Sequence, residues 1–194
     1  MSKPVDEPQF HAIPANAGPP ALDSVILADG TRVPTRPIGP GDSDALQRFH
    51  SRLSAGSIFL RFFHYVPVLT PDRAAYFTQL DGVDRYAIVA LDPANPAAII
   101  GVVRYDRELG TEEAEYAIVV EDRWQGRGLG LALTRQLVAV ARAHGIRRFY
   151  AYVLPENSRM LHLFQDLPLL QHGSNEEGVW RIDLDLFHEE HARS

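Results

Sequence analysis

The sequence contains no cysteine. A disulfide framework, a thiolate metal site and a cysteine nucleophile are therefore excluded. Lysine is nearly absent as well: Lys3 stands alone, and arginine supplies the rest of the 19 basic side chains. That skew, with the many alanines, reads as genomic base composition. No run of about 20 apolar residues is present, so no membrane-spanning helix is expected. The first twenty residues lack the apolar stretch of a signal peptide, which makes a cytoplasmic location the expectation. Positive charge is also in short supply. The formal net charge of −6 argues against a general nucleic-acid binder. The histidines of His188-Glu-Glu-His191 stand three apart, not the four of H-E-x-x-H, and no other histidine pair has ligand spacing, so no metal is expected.

What is present is ordinary globular composition, 45% apolar and 23% charged in 194 residues, enough for one sizeable core. Residues 1–22, rich in proline and alanine, read as a flexible arm, and 23–194 as a single domain. Residues 24–37 read as a hairpin turning at Asp29-Gly30, and Pro34 and Pro37 suggest an edge position. Asp42 or Ser43 can cap a helix bearing Ala45, Leu46, Phe49 and Leu53. A second helix is expected within 57–65, where Phe59, Phe62, Phe63 and Tyr65 read as core or as the wall of a pocket. A third follows Thr70-Pro71 and runs to about Leu80. Strands over 85–91, 99–105 and 115–121, joined by short turns, make an antiparallel meander. A helix over 128–144 ends at Gly145, and strands over 146–154 and 179–186 flank a helix over 158–165. The strand–helix–strand unit implies a parallel pair.

The chain turns on one stretch within this order. An apolar run, Ala117-Ile-Val-Val120, passes into Glu121-Asp-Arg-Trp-Gln-Gly-Arg-Gly-Leu-Gly130 and then into the long amphipathic helix. A helix N-terminus offers unpaired N–H groups and partial positive charge, and glycines let a ligand approach the backbone. Together they make a phosphate cradle. A P-loop would end in Gly-Lys-Ser or Gly-Lys-Thr, but Leu131 and Ala132 follow Gly130. The dinucleotide fingerprint G-x-G-x-x-G does not fit the spacing at 126, 128 and 130 either.

The run Gln125-Gly-Arg-Gly-Leu-Gly130 resembles Q/R-x-x-G-x-G/A, the acyl-CoA pyrophosphate loop of the GNAT N-acetyltransferases. The element order is similar to that family over about residues 24–187, which implies an α/β fold: a mixed sheet, an antiparallel meander plus a parallel, splayed pair of fourth and fifth strands, with flanking helices. Val153-Leu-Pro-Glu-Asn157-Ser-Arg resembles the segment in which an asparagine precedes a helix along the CoA arm. Ser57-Ile-Phe-Leu-Arg-Phe-Phe63 looks like the S-x-x-x-R-F-F stretch of bacterial Pat-type protein lysine acetyltransferases. Those relatives often carry an added regulatory domain, and no segment here is long enough to form one.

The resemblance implies acetyl-CoA as co-substrate and an amine acceptor, a protein lysine in the Pat-like branch. The pantetheine arm would bond main-chain groups at Ile118 and Val120. Pyrophosphate would meet Gln125, Gly126, Arg127, Gly128, Leu129, Gly130 and Leu131, with charge from Arg123 and Arg127. Asn157 and Phe164 would line the CoA arm, and the N–H near Val119 would hold the developing oxyanion. An amine of pKa about 10.4 needs a base to attack at neutral pH. Glu115, on the strand face of Val119, is the first choice, ahead of Glu113 and Glu121. Phe164 stands where many relatives carry a proton-donating tyrosine. A small-molecule amine acetyltransferase, or a CoA-binding sensor with little turnover, are the other readings. The oligomeric state, a homodimer included, is left open.

Overall fold

The computed structural model describes residues 20–188; all of the expected arm but 20–22, and the end of the histidine tail beyond 188, lie outside them. β1 (Ser24–Ile26) and β2 (Arg32–Pro37) form the hairpin. β2 is not a sheet edge, because it lies between β1 and β3 (Arg85–Asp92). It pairs with β1 through 32–34 and with β3 through 35–37, so each half keeps one free side that tolerates a proline.

Three short helices follow the hairpin: α1 (Ser43–Ser51), α2 (Ala55–Phe62) and α3 (Pro71–Thr78). Thr70 caps α3 as expected. Asp42 precedes α1 without capping it. Its carboxylate instead accepts from the Gly39 N–H and pairs with Arg36 at 2.6 Å. α2 begins before the expected residue 57, because the Ser54 hydroxyl accepts from the Ser57 N–H at 3.1 Å. The aromatics of this region divide. Phe62 packs partly into the core, whereas Phe59, Phe63 and Tyr65 are exposed and do not form the expected cluster.

β3, β4 (Asn95–Arg107) and β5 (Glu113–Val120) form the antiparallel meander. α4 (Leu129–Ala143) then crosses to β6 (Arg148–Val153), which pairs parallel with β5. α5 (Ser158–Gln165) leads into β7 (Leu170–Glu176) and β8 (Val179–Asp185). The full order is β1-β2-β3-β4-β5-β6-β8-β7. β7 was not expected from the sequence. It is an outer strand, exposed along most of its length, so its composition carries no apolar alternation to reveal it. Among the described residues no helix is long and apolar enough to cross a membrane.

The sheet separates two cores. One, under α4 and α5, holds Tyr105, Tyr116, Leu129, Leu133, Phe149 and Phe164; the other, under α1 to α3, holds Phe49, Ile58, Val89 and Val102. α4 is sealed into the first core through Leu129, Leu133 and Leu137, each at most 1% exposed. Leu133→Ala is expected to cost about 2–5 kcal/mol in denaturant unfolding. Leu133→Asp, which buries an unpaired carboxylate, should abolish the cooperative melt. An unchanged melting temperature in the Asp variant would put this helix face on the outside.

Candidate active site

β5 and β6 pair at Glu113↔Arg148, Ala114↔Phe149 and Glu115↔Tyr150, and then stop. Each strand runs on with its outer neighbour only: β5 follows β4 to Val120, and β6 follows β8 to Val153. The pair is therefore a fork with its crotch at Glu115. Hydrogen bonding in a ladder alternates, and the Glu121 N–H reaches Ile100 O at 2.9 Å. With the register unbroken, odd residues of β5 turn their N–H and C=O toward β4, and even residues turn theirs toward β6. Beyond the crotch, Ile118 and Val120 thus face the gap with main-chain groups that no strand takes up. This is the geometry of β-augmentation, in which an extended ligand supplies the missing strand. The same alternation corrects one expectation: the Val119 N–H is directed at Val102 in β4, and the donors on the gap are its neighbours.

A cleft of about 400 Å³ fills the fork, in the range of small-molecule sites. Its mouth is the glycine loop. After a single 3-10 turn (Asp122–Trp124), Gly126 and Gly128 adopt φ of 71° and 82°, left-handed values that bring the chain into α4. The first helical bond there is Ala132 N–H to Gly128 O at 3.0 Å, which leaves the N–H groups of 128–131 without helical acceptors. Gly130 is close-packed for a different reason: a Cβ there would lie 3.0 Å from the Leu163 side chain of α5, which would have to shift, and 3.6 Å from Ile118 of β5. Gln125 fixes the loop, its amide donating to Val120 O at 2.8 Å and to the Ser57 hydroxyl at 3.1 Å. Asp122 accepts from the Ser54 N–H and from the Ser54 and Ser57 hydroxyls, tying the start of α2 to the same turn.

The expected CoA contacts divide. Ile118, Val119, Val120, Gln125, Gly126, Gly128, Gly130, Leu131 and Asn157 line the cleft. Leu129 is buried in the core, so only its backbone can serve. Arg127 turns away, donating to Asp29 at 2.7 Å and lying 4.4 Å from the Trp124 ring centre. Arg123 is likewise held, by Glu121 and Asp92. Phe164 does not reach the cleft: it is 1% exposed and packs edge-on against Tyr116 at 5.6 Å, because α5 turns this position into the core. The cation at the mouth is Arg159, to which the sequence motifs assign no role; its guanidinium donates to the side-chain amide oxygen of Gln125. One signal was available. A basic residue in the first turn of a helix opposes the helix dipole, and an incoming anion reverses that penalty.

The three candidate carboxylates have different surroundings. Glu121 is buried and clamped by Arg52 at 3.0 Å and Arg123 at 2.6 Å. Glu113 pairs with Arg148 at 2.7 Å. Glu115 is exposed at the crotch and takes part in no ion pair among the described residues. Among the described residues no cluster of three or more histidine and acidic side chains could hold a metal ion.

Comparison with known proteins agrees with this geometry. The acetyltransferase (GNAT) family matches residues 57–167. An acetyltransferase of Pseudomonas aeruginosa is 30% identical over 138 residues, covering 71% of this chain and 74% of that protein. The acetyltransferase Pat of Mycolicibacterium smegmatis is 32% identical over 135 residues, 68% of this chain; the match spans 39% of that longer protein. The crystal structure of the GNAT domain of S. lividans PAT superposes with a TM-score of 0.79 at 38% identity, covering 84% of this chain and 96% of that domain.

The cradle can be tested at its mouth. A Cβ at Gly128 would meet no heavy atom within 4 Å, so Gly128→Glu acts through its left-handed φ and its charge, not through a clash with the protein. Its calorimetric affinity for acetyl-CoA should fall beyond detection, and Arg159→Gln should lose about tenfold, the worth of one charge-assisted contact. Unchanged affinity in both variants would move the phosphate site elsewhere.

Proposed function

The chain belongs to the acetyltransferase (GNAT) family and is an acetyl-CoA-dependent N-acetyltransferase; from that premise we propose that it acetylates a lysine side chain of a protein by direct attack in a ternary complex, with Glu115 as the base. Acetyl-CoA supplies an activated acyl carbon. The chain supplies position, charge and a proton acceptor. Gap-facing main-chain groups of Ile118 and Val120 align the pantetheine arm, and the N–H groups of 128–131 with Arg159 hold the pyrophosphate. The N–H of Ile118, next to the position first expected for the oxyanion donor, faces the gap on the crotch side of Val120, toward Glu115 and the thioester end.

The observation that carries the base assignment is the isolation of Glu115 at the crotch. Arginines occupy both of its rivals, so neither carboxylate is free to turn to an incoming amine. Tyr150 faces it across the last paired register, and Tyr152 beyond is 38% exposed. This approach is an open sheet face, which suits a side chain presented on a large partner. The likeness to Pat proteins supports the same acceptor. A small-molecule amine remains the second reading, favoured by the 400 Å³ cleft alone.

Glu115→Gln keeps the shape and a polar group but loses the basicity. Acetyl-CoA affinity should barely move, while turnover of lysine peptides near neutral pH should fall about 10²–10⁴-fold. The deficit should shrink as pH rises toward the lysine pKa of about 10.4, where the free amine needs no base. Near-normal turnover across pH would remove Glu115 from the chemistry. Faster thiol release with small amines than with any lysine peptide would favour the second reading.

A further inference from the structure

Arg61 has no task in the chemistry described so far. α2 carries it one turn on from Ser57, which bonds Gln125 of the glycine loop, to where it lines the cleft with Val119 on the side of Glu115. It also borders a second, smaller cavity of about 50 Å³ beneath α1 to α3, and Val119 is shared between the two in the same way. Its guanidinium makes no hydrogen bond or ion pair with any described residue and lies 5.0 Å from the ring centre of Phe62.

Its surroundings do not neutralise it. From β4 come Arg104 and Asp106, but Asp106 is already shared by Arg104 and Arg85, each at 2.9 Å. From β5 comes Glu115; from α3, Arg73 approaches the Phe62 ring at 5.9 Å. His50 of α1 borders the small cavity, and His162 and Asp166 of α5 border the cleft. Burial, and then Arg104, push the guanidinium down to about 10, while Glu115 and Asp106 oppose the shift. An uncompensated cation in such a place is costly unless an anion arrives with the ligand.

The reaction makes such an anion on the CoA sulfur. As the amine nitrogen bonds to the acetyl carbon, the C–S electron pair passes to sulfur and Glu115 takes the amine proton. The departing thiolate then needs a proton or a positive charge. Phe164 has no proton to give. The Tyr116 hydroxyl is buried, bonded to Thr134 at 2.7 Å and pushed well up by burial. We propose that Arg61 is the catalytic electrostatic partner of the CoA sulfur, holding the thiolate as the C–S bond breaks. The guanidinium keeps its proton, and the thiolate is protonated by solvent after release. This rests on the acetyl-CoA site assigned above.

The test needs no turnover. CoA is bound to the protein without acceptor, and its thiol is titrated by the ultraviolet absorbance of the thiolate, with desulfo-CoA as the reference ligand. In the wild-type complex the thiol should titrate about one unit or more below its free value of about 8.5. Arg61→Met, which keeps the aliphatic stem, should restore the free value, and Arg61→Lys should retain part of the shift. Above the thiol pKa, Arg61→Met should bind CoA about tenfold or more weakly than wild type, yet bind desulfo-CoA equally well, which also reports an intact fold. A bound thiol that titrates alike in wild type, Arg61→Met and Arg61→Lys overturns the proposal. So does an Arg61→Met variant whose only defect is a raised KM for acceptor, since Arg61 would then serve an acceptor carboxylate. Failure of both CoA and desulfo-CoA to bind wild-type protein would instead overturn the acetyl-CoA site itself.

Discussion

Everything in this fold that concerns function follows from the parting of β5 and β6 after the Glu115–Tyr150 register. Two strands that remain paired present no main-chain groups, and two that never meet hold no fixed gap. Here three register pairs fix the crotch, while β4 and β8 hold the diverging arms from outside. The fork therefore costs the sheet little and yields a rigid slot lined by Ile118 and Val120. The crossover helix α4 starts directly above one arm and α5 follows the other. That is why the free N–H groups of one helix and Arg159 of the next meet at the same mouth.

Charge is distributed to match. Most arginines near the site are occupied by carboxylates: Arg52 and Arg123 by Glu121, Arg127 by Asp29, Arg104 and Arg85 by Asp106. Glu121 and Arg104 are buried in these pairs, whereas Arg127 and Asp29 meet near the surface. Their effect is to remove those cations from competition for the ligand. Two arginines that line the cleft, Arg159 beside Gln125 and Arg61 on the side of Glu115, have no ion-pair partner among the described residues. An acyl-CoA has anionic phosphates at one end and forms a thiolate at the other. We assign Arg159 to the first and Arg61 to the second.

The glycine loop and its helix were legible in the sequence because their parts are local. An apolar β-run, three closely spaced glycines and an amphipathic helix are read from consecutive residues, and the loop and α4 fall where that pattern put them. The splay of the strands and Asn157 were expected only from the family resemblance. What it hid depends on side-chain direction or on partners distant in the chain. Arg127 sits inside the glycine motif, yet Asp29, remote in sequence, claims it. Phe164 aligns with a functional position, but its helix face buries it against Tyr116. The turning of the Val119 N–H into β4 depends on ladder parity, which no composition reveals. β7 escaped because an exposed outer strand needs no apolar face. The choice of Glu115 over Glu121 rested on its strand face and on the likeness of Ala114-Glu-Tyr116 to the Pat-type pattern; the structure adds the clamp of Arg52 and Arg123 on the rival.

The central claim, that an acyl-CoA lies in the fork as a missing strand, is tested most directly by hydrogen exchange with and without acetyl-CoA. The account predicts new protection at the amides of Ile118, Val120 and 128–131, with Val119 already slow in the free protein and unchanged by the ligand. Protection confined to the α1–α3 side, or a fast Val119 amide that becomes slow on binding while Ile118 and Val120 do not change, would contradict it.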